Sequence, residues 1–239
     1  MRVLSVDSSS KCATCAILDE SGIIAECTLN NKREHSVLLM PMIEDLLKDS
    51  NLTIENIDGF VVSKGPGSFT GLRIGMATIK GLSFGGNKPY ISISSLEGLA
   101  FSASPFDGII CSVMEALREN VYAAMYKVID GKLQTILEPT SIDIDKLMEI
   151  VKEKDEKIIF VGDGVLKHRD YIKEEYPSSN FANNYLNLIR ASSIGEIGLY
   201  RLKEGIKDDE NSSPLYLKQP QAVRELNKRL ELKGNEIDS

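Results

Sequence analysis

The chain of 239 residues has no tryptophan, two histidines and four cysteines. With so few imidazoles and no H-E-x-x-H motif, it lacks the residues with which metalloproteases bind zinc. Cys12 and Cys15 form the only C-x-x-C pair, and the spacing of Cys27 and Cys111 does not fit a four-cysteine zinc site. We therefore expect four buried, reduced cysteines and no metal site, and a stand-alone peptidase is the least favoured interpretation.

The sequence also lacks an excess of positive charge and a long apolar run. Its formal net charge is −7, and its basic residues are dispersed along the sequence. We therefore do not expect the chain to bind nucleic acid by itself. No segment approaches the ~20 uninterrupted apolar residues of a membrane span. The N-terminal residues 1–7 run directly into a strand pattern without the apolar region of a signal peptide. We expect a cytoplasmic protein that does not contact membranes.

The most informative segment is residues 65–75, GPGSFTGLRIG. It follows the apolar run Phe60–Val62, which is typical of a buried strand, and it precedes a predicted helix. Four glycines and a proline in eleven residues predict tight turns and close backbone approaches, because only glycine adopts positive φ without strain. The spacing matches neither the phosphate-binding P-loop nor the dinucleotide fingerprint. The segment is therefore not a general nucleotide-binding signature.

Two predicted helices beside this loop are apolar over more than one face. The helix near 36–49 is apolar over about 200° of its circumference. The helix near 71–85 carries a stripe of mostly small residues, and a separate arc contains Ile74, Ala77, Gly81 and Phe84. Such helices are either buried inside their own domain or packed against another subunit, and periodicity alone does not distinguish the two.

Five short elements together resemble the TsaB (YeaZ) family: Val6–Ser10, Arg33–Ser36, residues 65–75, Ser94–Glu97 and Pro214–Leu217. The resemblance is dense over the first 100 residues and thin beyond them. It implies a two-lobed α/β fold of the actin-like, acetate kinase and Hsp70 (ASKHA) type. It also implies a bacterial, non-catalytic partner of TsaD in the synthesis of N6-threonylcarbamoyladenosine in tRNAs that read codons beginning with A.

The resemblance implies a set of partners and a docking surface. TsaD is expected to form a heterodimer with this chain, the ATPase TsaE to bind across the pair, and tRNA to be contacted indirectly through the complex. The same surface is expected to form a homodimer when TsaD is absent. The interface residues that we predict are His35, Leu38, Leu39, Met42, Ile43, Leu46, Gly71, Arg73, Ile74, Gly75, Thr78 and Leu82.

A nucleotide site is the main alternative to a docking role. In active members of the ASKHA fold an aspartate ends the first strand, and a glycine-containing turn then wraps the phosphates. Here Asp7 is followed by Ser8, Ser9 and Ser10, so close backbone approach to phosphate is hindered. Weak nucleotide-binding candidates are Asp7, Ser8, Ser9, Gly162 and Gly164. We expect these residues to cap and turn the backbone, we assign no catalytic residue and no cofactor to the chain alone, and we leave ATP with magnesium open for the complex. A small-molecule kinase or ATPase of the same fold is the rival interpretation.

Alternating and periodic apolar patterns predict an α/β organisation in two halves. Predicted boundaries are a first lobe at 1–104, a second lobe at 105–190, a segment returning to the first lobe at 191–217 and a charged tail at 218–239. Strands are predicted at 2–7, 13–18, 23–29, 59–63, 90–93, 109–114, 121–128, 132–138 and 158–161. Helices are predicted near 36–49, 71–85, 95–103, 143–153 and 192–204.

Overall fold

The computed structural model describes residues 1–30, 35–116 and 120–217, and the side chain of His35 lies outside the described part. Within these ranges the strands form two five-stranded mixed sheets. None of the helices described is long and apolar enough to cross a membrane.

The first sheet has the strand order β3-β2-β1-β4-β5. Its strands are β1 (Val3–Asp7), β2 (Ala13–Asp19), β3 (Gly22–Leu29), β4 (Gly59–Gly65) and β5 (Tyr90–Ser94). Strand β1 pairs antiparallel with β2 and parallel with β4. The helices of this first lobe are α1 (His35–Asp49), α2 (Phe69–Gly86) and α3 (Ser95–Ser102), and a 3-10 turn spans Ile54–Asn56.

The second sheet repeats the pattern of three antiparallel strands with parallel strands beside them, in the order β10-β9-β6-β7-β8. Its strands are β6 (Ile109–Glu115), β7 (Asn120–Ile129), β8 (Lys132–Asp143), β9 (Ile158–Val161) and β10 (Asn180–Phe181). The helices of this second lobe are α4 (Ile144–Lys152) and α5 (Asp163–Glu175), followed by a 3-10 turn at Asn184–Asn187. The last helix is α6 (Ala191–Lys203).

The two faces of the first sheet are covered by different helices. Helices α1 and α2 share an apolar cluster with β1, β2 and β4 on one face. Helix α6 packs on the other face, where a Cβ at Gly198 would lie 2.5 Å from Val61. The absence of a side chain at Gly198 therefore lets α6 lie directly on β4, and α3 joins the same apolar cluster between the lobes.

After α6 the chain runs along the edge of the first sheet as an extended segment, residues 208–217, which we call the strap. The backbone N–H of Asp208 donates to the Tyr90 carbonyl at 2.9 Å, and the Tyr90 hydroxyl donates to the Asp209 carbonyl at 2.6 Å. Further along, the Leu215 N–H donates to the Lys64 carbonyl at 2.6 Å. The strap thus covers the exposed edge of β5 and ends beside the start of α2.

The structure differs from the sequence prediction at several elements. Strand β8 continues past the predicted end at 138 to Asp143, because it is an edge strand and tolerates Pro139. Helix α2 begins at Phe69, where the Ser68 side chain accepts a hydrogen bond from the Gly71 N–H as an N-cap. The predicted elements did not include α5, β10 or the 3-10 turns. The predicted tail at 218–239 and part of the Arg33–Ser36 motif lie outside the described residues.

Placement of α1 can be tested with a pair of aspartate substitutions. Ile43 is 1 % exposed, so Ile43→Asp would bury an unpaired carboxylate and should lower the free energy of unfolding by more than ~3 kcal/mol. Val37, on the same helix, is 66 % exposed, and Val37→Asp should change it by less than about 0.5 kcal/mol. Urea denaturation followed by circular dichroism measures both values, and equal losses would contradict this orientation of α1.

Candidate functional site

The turn that follows β1 is closed by hydrogen bonds within the chain. Asp7 is fully buried, and its Oδ1 accepts a hydrogen bond from the Ser9 N–H at 3.2 Å. The Ser8 hydroxyl donates to the Gly71 carbonyl at 2.8 Å, and the Ser68 N–H donates to the Ser9 carbonyl at 2.6 Å. Asp7 therefore caps local backbone, and Ser8 and Ser9 join the turn to the start of α2.

Glycines make this contact between the turn and α2 sterically feasible. A Cβ at Gly67 would lie 2.2 Å from the Ser9 carbonyl oxygen, and one at Gly75 would lie 2.5 Å from Ser8 Oγ. Both distances are far below van der Waals contact, so larger residues would push α2 away from β1. The predicted close approach at Gly75 is therefore with this chain's own turn and not with a second protein.

Gly162 and Gly164 lie in the second lobe, where β9 turns into α5. Gly162 has a φ of 121°, and a Cβ there would lie 2.1 Å from the Val113 carbonyl oxygen. A Cβ at Gly164 would lie 2.9 Å from the carbonyl carbon of Met114. These glycines let the start of α5 pack against β6 in a tight turn between β9 and the helix.

Lys11 of the first lobe and Glu115 of the second form a charged pair between the lobes. Lys11 Nζ lies 3.0 Å from Glu115 Oε2, and this hydrogen-bonded pair raises the pKa of Lys11. Asp163 Oδ1 accepts a hydrogen bond from the Glu115 N–H at 2.9 Å, while burial raises the pKa of the Asp163 carboxyl. In the described part of the chain, no group of three or more His, Cys, Asp or Glu side chains is arranged to hold a metal ion.

The cysteines are packed as apolar residues. Cys12, Cys15 and Cys111 are buried and Cys27 is half-buried, and all four are free thiols. Burial raises the pKa of both Cys15 and Cys111 to about 12, which keeps these thiols protonated and unreactive at neutral pH. Cys27 is thus the one exception to the expected burial.

The structure places the predicted interface residues of α1 in the core of the first lobe. Their side chains pack on β1, β2 and β4. The residues concerned are Leu38, Leu39, Met42, Ile43 and Leu46. The apolar residues that α1 does expose are Val37, at 66 %, and Met40, at 38 %. His35 cannot be placed in this way, because its side chain lies outside the described residues.

The predicted interface residues of α2 divide between the core and the surface. Gly71 and Gly75 are buried against the turn after β1, which corrects their assignment to a docking surface. Arg73 is exposed, while Ile74, Thr78 and Leu82 are half-buried. Ile74 and Leu82 also touch the apolar cluster shared with α1.

One face of α2 is largely uncovered by the residues that the structure describes, and we call it the outer ridge: Ile74, Ala77, Gly81, Phe84 and Gly85. Phe84 is 85 % exposed, and a Cβ at Gly81 or Gly85 would meet no atom within 4 Å. Glycine inside a helix is less stable than alanine by roughly 1 kcal/mol, so packing within the described chain does not explain these two residues. Of the five ridge residues, only Ile74 is among the twelve predicted interface residues. The helical wheel nevertheless shows the arc that contains Ala77, Gly81 and Phe84.

Comparison with known proteins places the chain in a family. Residues 22–226 match the family model described as "TsaD: tRNA N6-adenosine threonylcarbamoyltransferase". The tRNA threonylcarbamoyladenosine biosynthesis protein TsaB of Bacillus subtilis is 34% identical over 181 residues, which are 76% of this chain and 79% of that protein.

Solved structures show the same fold. YeaZ from Pseudomonas aeruginosa superposes with a TM-score of 0.78 at 22% identity, over 90% of this chain and 99% of that one. A ROK hexokinase from Thermus thermophilus superposes with a TM-score of 0.51 at 11% identity, over 86% and 100% of the two chains. These likenesses confirm the predicted two-lobed ASKHA fold. The chain belongs to the TsaB (YeaZ) family of tRNA threonylcarbamoyladenosine biosynthesis proteins.

Proposed function

We propose that this chain is the non-catalytic scaffold and activator subunit that dimerises with TsaD to form N6-threonylcarbamoyladenosine in tRNAs that read codons beginning with A. The observation that carries the proposal is the outer ridge of α2, where small and apolar residues are exposed and have no role in the packing of the described part of the chain. The match to a TsaD family model supports a partner with the same architecture. A helix pair of that partner would complete a four-helix packing with α1 and α2.

The ridge is suited to close helix packing. Gly81 and Gly85 lie one turn apart on α2 and let a second helix approach the backbone, as small residues do at tight helix crossings. Phe84 supplies a large apolar side chain beside them, and its burial would contribute about 2 kcal/mol. On α1, which contacts α2, the exposed apolar residues are Val37 and Met40.

The mechanism that we propose is allosteric support. TsaD transfers the threonylcarbamoyl group from its adenylate to adenosine, and this chain stabilises the competent form of TsaD by binding it. A net charge of −7 makes the chain a poor tRNA ligand by itself, so the partner supplies the tRNA contacts. The proposal includes TsaE bound across the pair, self-association through the ridge when TsaD is absent, and a cytoplasmic location.

We also propose that the functional units follow the predicted lobes. The first lobe, 1–104, carries the docking helices, the second lobe is 105–190, and the segment 191–217 returns to the first lobe. In support, α6 packs on the first sheet, and the strap is hydrogen-bonded to its edge.

Substitution on the ridge separates binding from stability. Gly81→Leu should raise the free energy of unfolding by about 0.5–1 kcal/mol, because leucine has the higher helix propensity and has room at this position. The same variant should lose binding to TsaD in co-purification, because the side chain would fill the space of the approaching helix. Gly81→Ala should gain similar stability and keep most of the binding, and a Leu variant that still bound TsaD normally would show that TsaD docks elsewhere.

The chain alone should show no turnover of Mg-ATP, because the turn after β1 is already hydrogen-bonded to α2. Phosphate release with the isolated chain tests this, with Asp7→Asn as the control for a contaminating ATPase. Turnover by the chain alone that Asp7→Asn abolished would favour the kinase interpretation instead.

In a reconstituted reaction with TsaD and the threonylcarbamoyl adenylate, adding the chain should raise the rate of adenosine modification.

A further inference from the structure

The strap holds two basic side chains of α2 in different ways. Lys80 Nζ donates hydrogen bonds to the Glu210 carbonyl at 2.7 Å and to the Ser212 carbonyl at 2.6 Å. Arg73 Nε donates one hydrogen bond, to the Tyr216 hydroxyl at 3.1 Å. The ammonium group of Lys80 is therefore largely satisfied within the chain, whereas the guanidinium of Arg73 has five N–H donors and uses one of them in hydrogen bonds to described residues.

The Arg73 guanidinium lies over the Phe69 ring, and that ring packs against Tyr216. Its central carbon lies 4.1 Å from the centroid of the Phe69 ring, and the rings of Phe69 and Tyr216 are 4.9 Å apart at an interplanar angle of 38°. A stacked guanidinium loses less conformational freedom when it binds an anion than a free arginine does. Arg73 is nevertheless exposed, and it forms no salt bridge with any residue that the structure describes.

We propose that Arg73, held by Phe69 and Tyr216, is a preformed binding site for a carboxylate side chain of the TsaD subunit. This inference rests on the proposed function, because Arg73 precedes Ile74 at the N-terminal end of the outer ridge. The two terminal nitrogens of the planar guanidinium, which have no partner among residues 1–30, 35–116 and 120–217, match a carboxylate in a bidentate pair. Arginine provides this geometry and lysine does not. The strap thus has a role in recognition, since it supplies the Tyr216 hydroxyl that orients the guanidinium.

A carboxylate fits this position better than a free phosphate for a structural reason. The guanidinium borders an apolar helix face, and a charged pair at the rim of an apolar contact aligns the two proteins and sets the register between them. The turn after β1, which binds phosphate in active relatives of this fold, is closed here by hydrogen bonds within the chain. The Arg73 guanidinium therefore adds specificity to the outer ridge, whose apolar contacts alone are nonspecific.

The test is the affinity of the full chain for TsaD from the same organism, measured by isothermal titration at two salt concentrations. Arg73→Met should raise Kd about tenfold at low salt and reduce the dependence of Kd on salt. Arg73→Lys should recover little of the loss, because an ammonium group cannot form the bidentate pair. Tyr216→Phe keeps the ring but removes the acceptor, and it should raise Kd about threefold.

Lys80→Met is the matched control, since Lys80 also faces the strap but is hydrogen-bonded to two carbonyls. It should leave the salt dependence of Kd unchanged. The thermal unfolding midpoint of each free variant is measured in parallel. Weaker binding by Arg73→Met with a lowered midpoint and an unchanged salt dependence would show a merely structural role and overturn the inference.

The remaining outcomes separate the inference from the proposed function. If the unmodified chain binds TsaD and Arg73→Met binds equally well at both salt concentrations, the carboxylate site is wrong and the docking proposal stands. If the unmodified chain does not bind TsaD, both the carboxylate site and the docking proposal are wrong. Weakened self-association of Arg73→Met with normal TsaD binding would assign the guanidinium to a second copy of this chain. Binding of inorganic phosphate that Arg73→Met abolishes would assign it to a free anion, and either result overturns the carboxylate site.

Discussion

The contact between the glycine-rich loop and the turn after β1 determines what both sides of α2 can do. The Ser68 N–H donates to the Ser9 carbonyl, and the missing side chains of Gly67 and Gly75 leave room for Ser9 and Ser8. This contact uses the Ser68 N–H within the chain. It also presses one face of α2 onto β1, so the opposite face must point outward. The closed turn after β1 and the outward face of α2 are therefore two results of one packing arrangement.

Three neighbours surround α2, and the face that they leave is the outer ridge. The sheet lies beneath the helix, α1 lies along one side, and the strap lies along the other through Arg73 and Lys80. Helix-interior glycines at 81 and 85 cost about 1 kcal/mol each relative to alanine. Burial of Phe84 against a partner is worth about 2 kcal/mol, and the adjoining apolar residues add to it. The exposed glycines thus destabilise the free chain slightly, and the proposed contact with a second helix would offset that cost.

Much of the fold was predictable, because strands and helices of this chain have clear apolar periods. The sheets, α1 and the helix after the glycine loop follow from those periods, and the five motifs indicate the family. Which arc of each helix faces outward was not predictable. A wheel shows that Ile43 and Phe84 both lie on apolar arcs, yet Ile43 is covered by strands and Phe84 by nothing in the described chain. Coverage depends on residues that are distant in sequence, and no local pattern contains that information.

Arg73 and Lys80 show how far such distant residues determine the chemistry of a surface. Seven positions apart on one helix, they form a single polar seam in the sequence and appear equivalent there. The strap offers carbonyl oxygens to Lys80, whereas it offers Arg73 a phenol hydroxyl beside an aromatic ring. A compact ammonium group is satisfied by two carbonyls, whereas a planar guanidinium with one acceptor and one stacked face keeps its terminal donors available. The strap, more than 120 residues away in the chain, therefore makes one cation structural and leaves the other able to bind an anion.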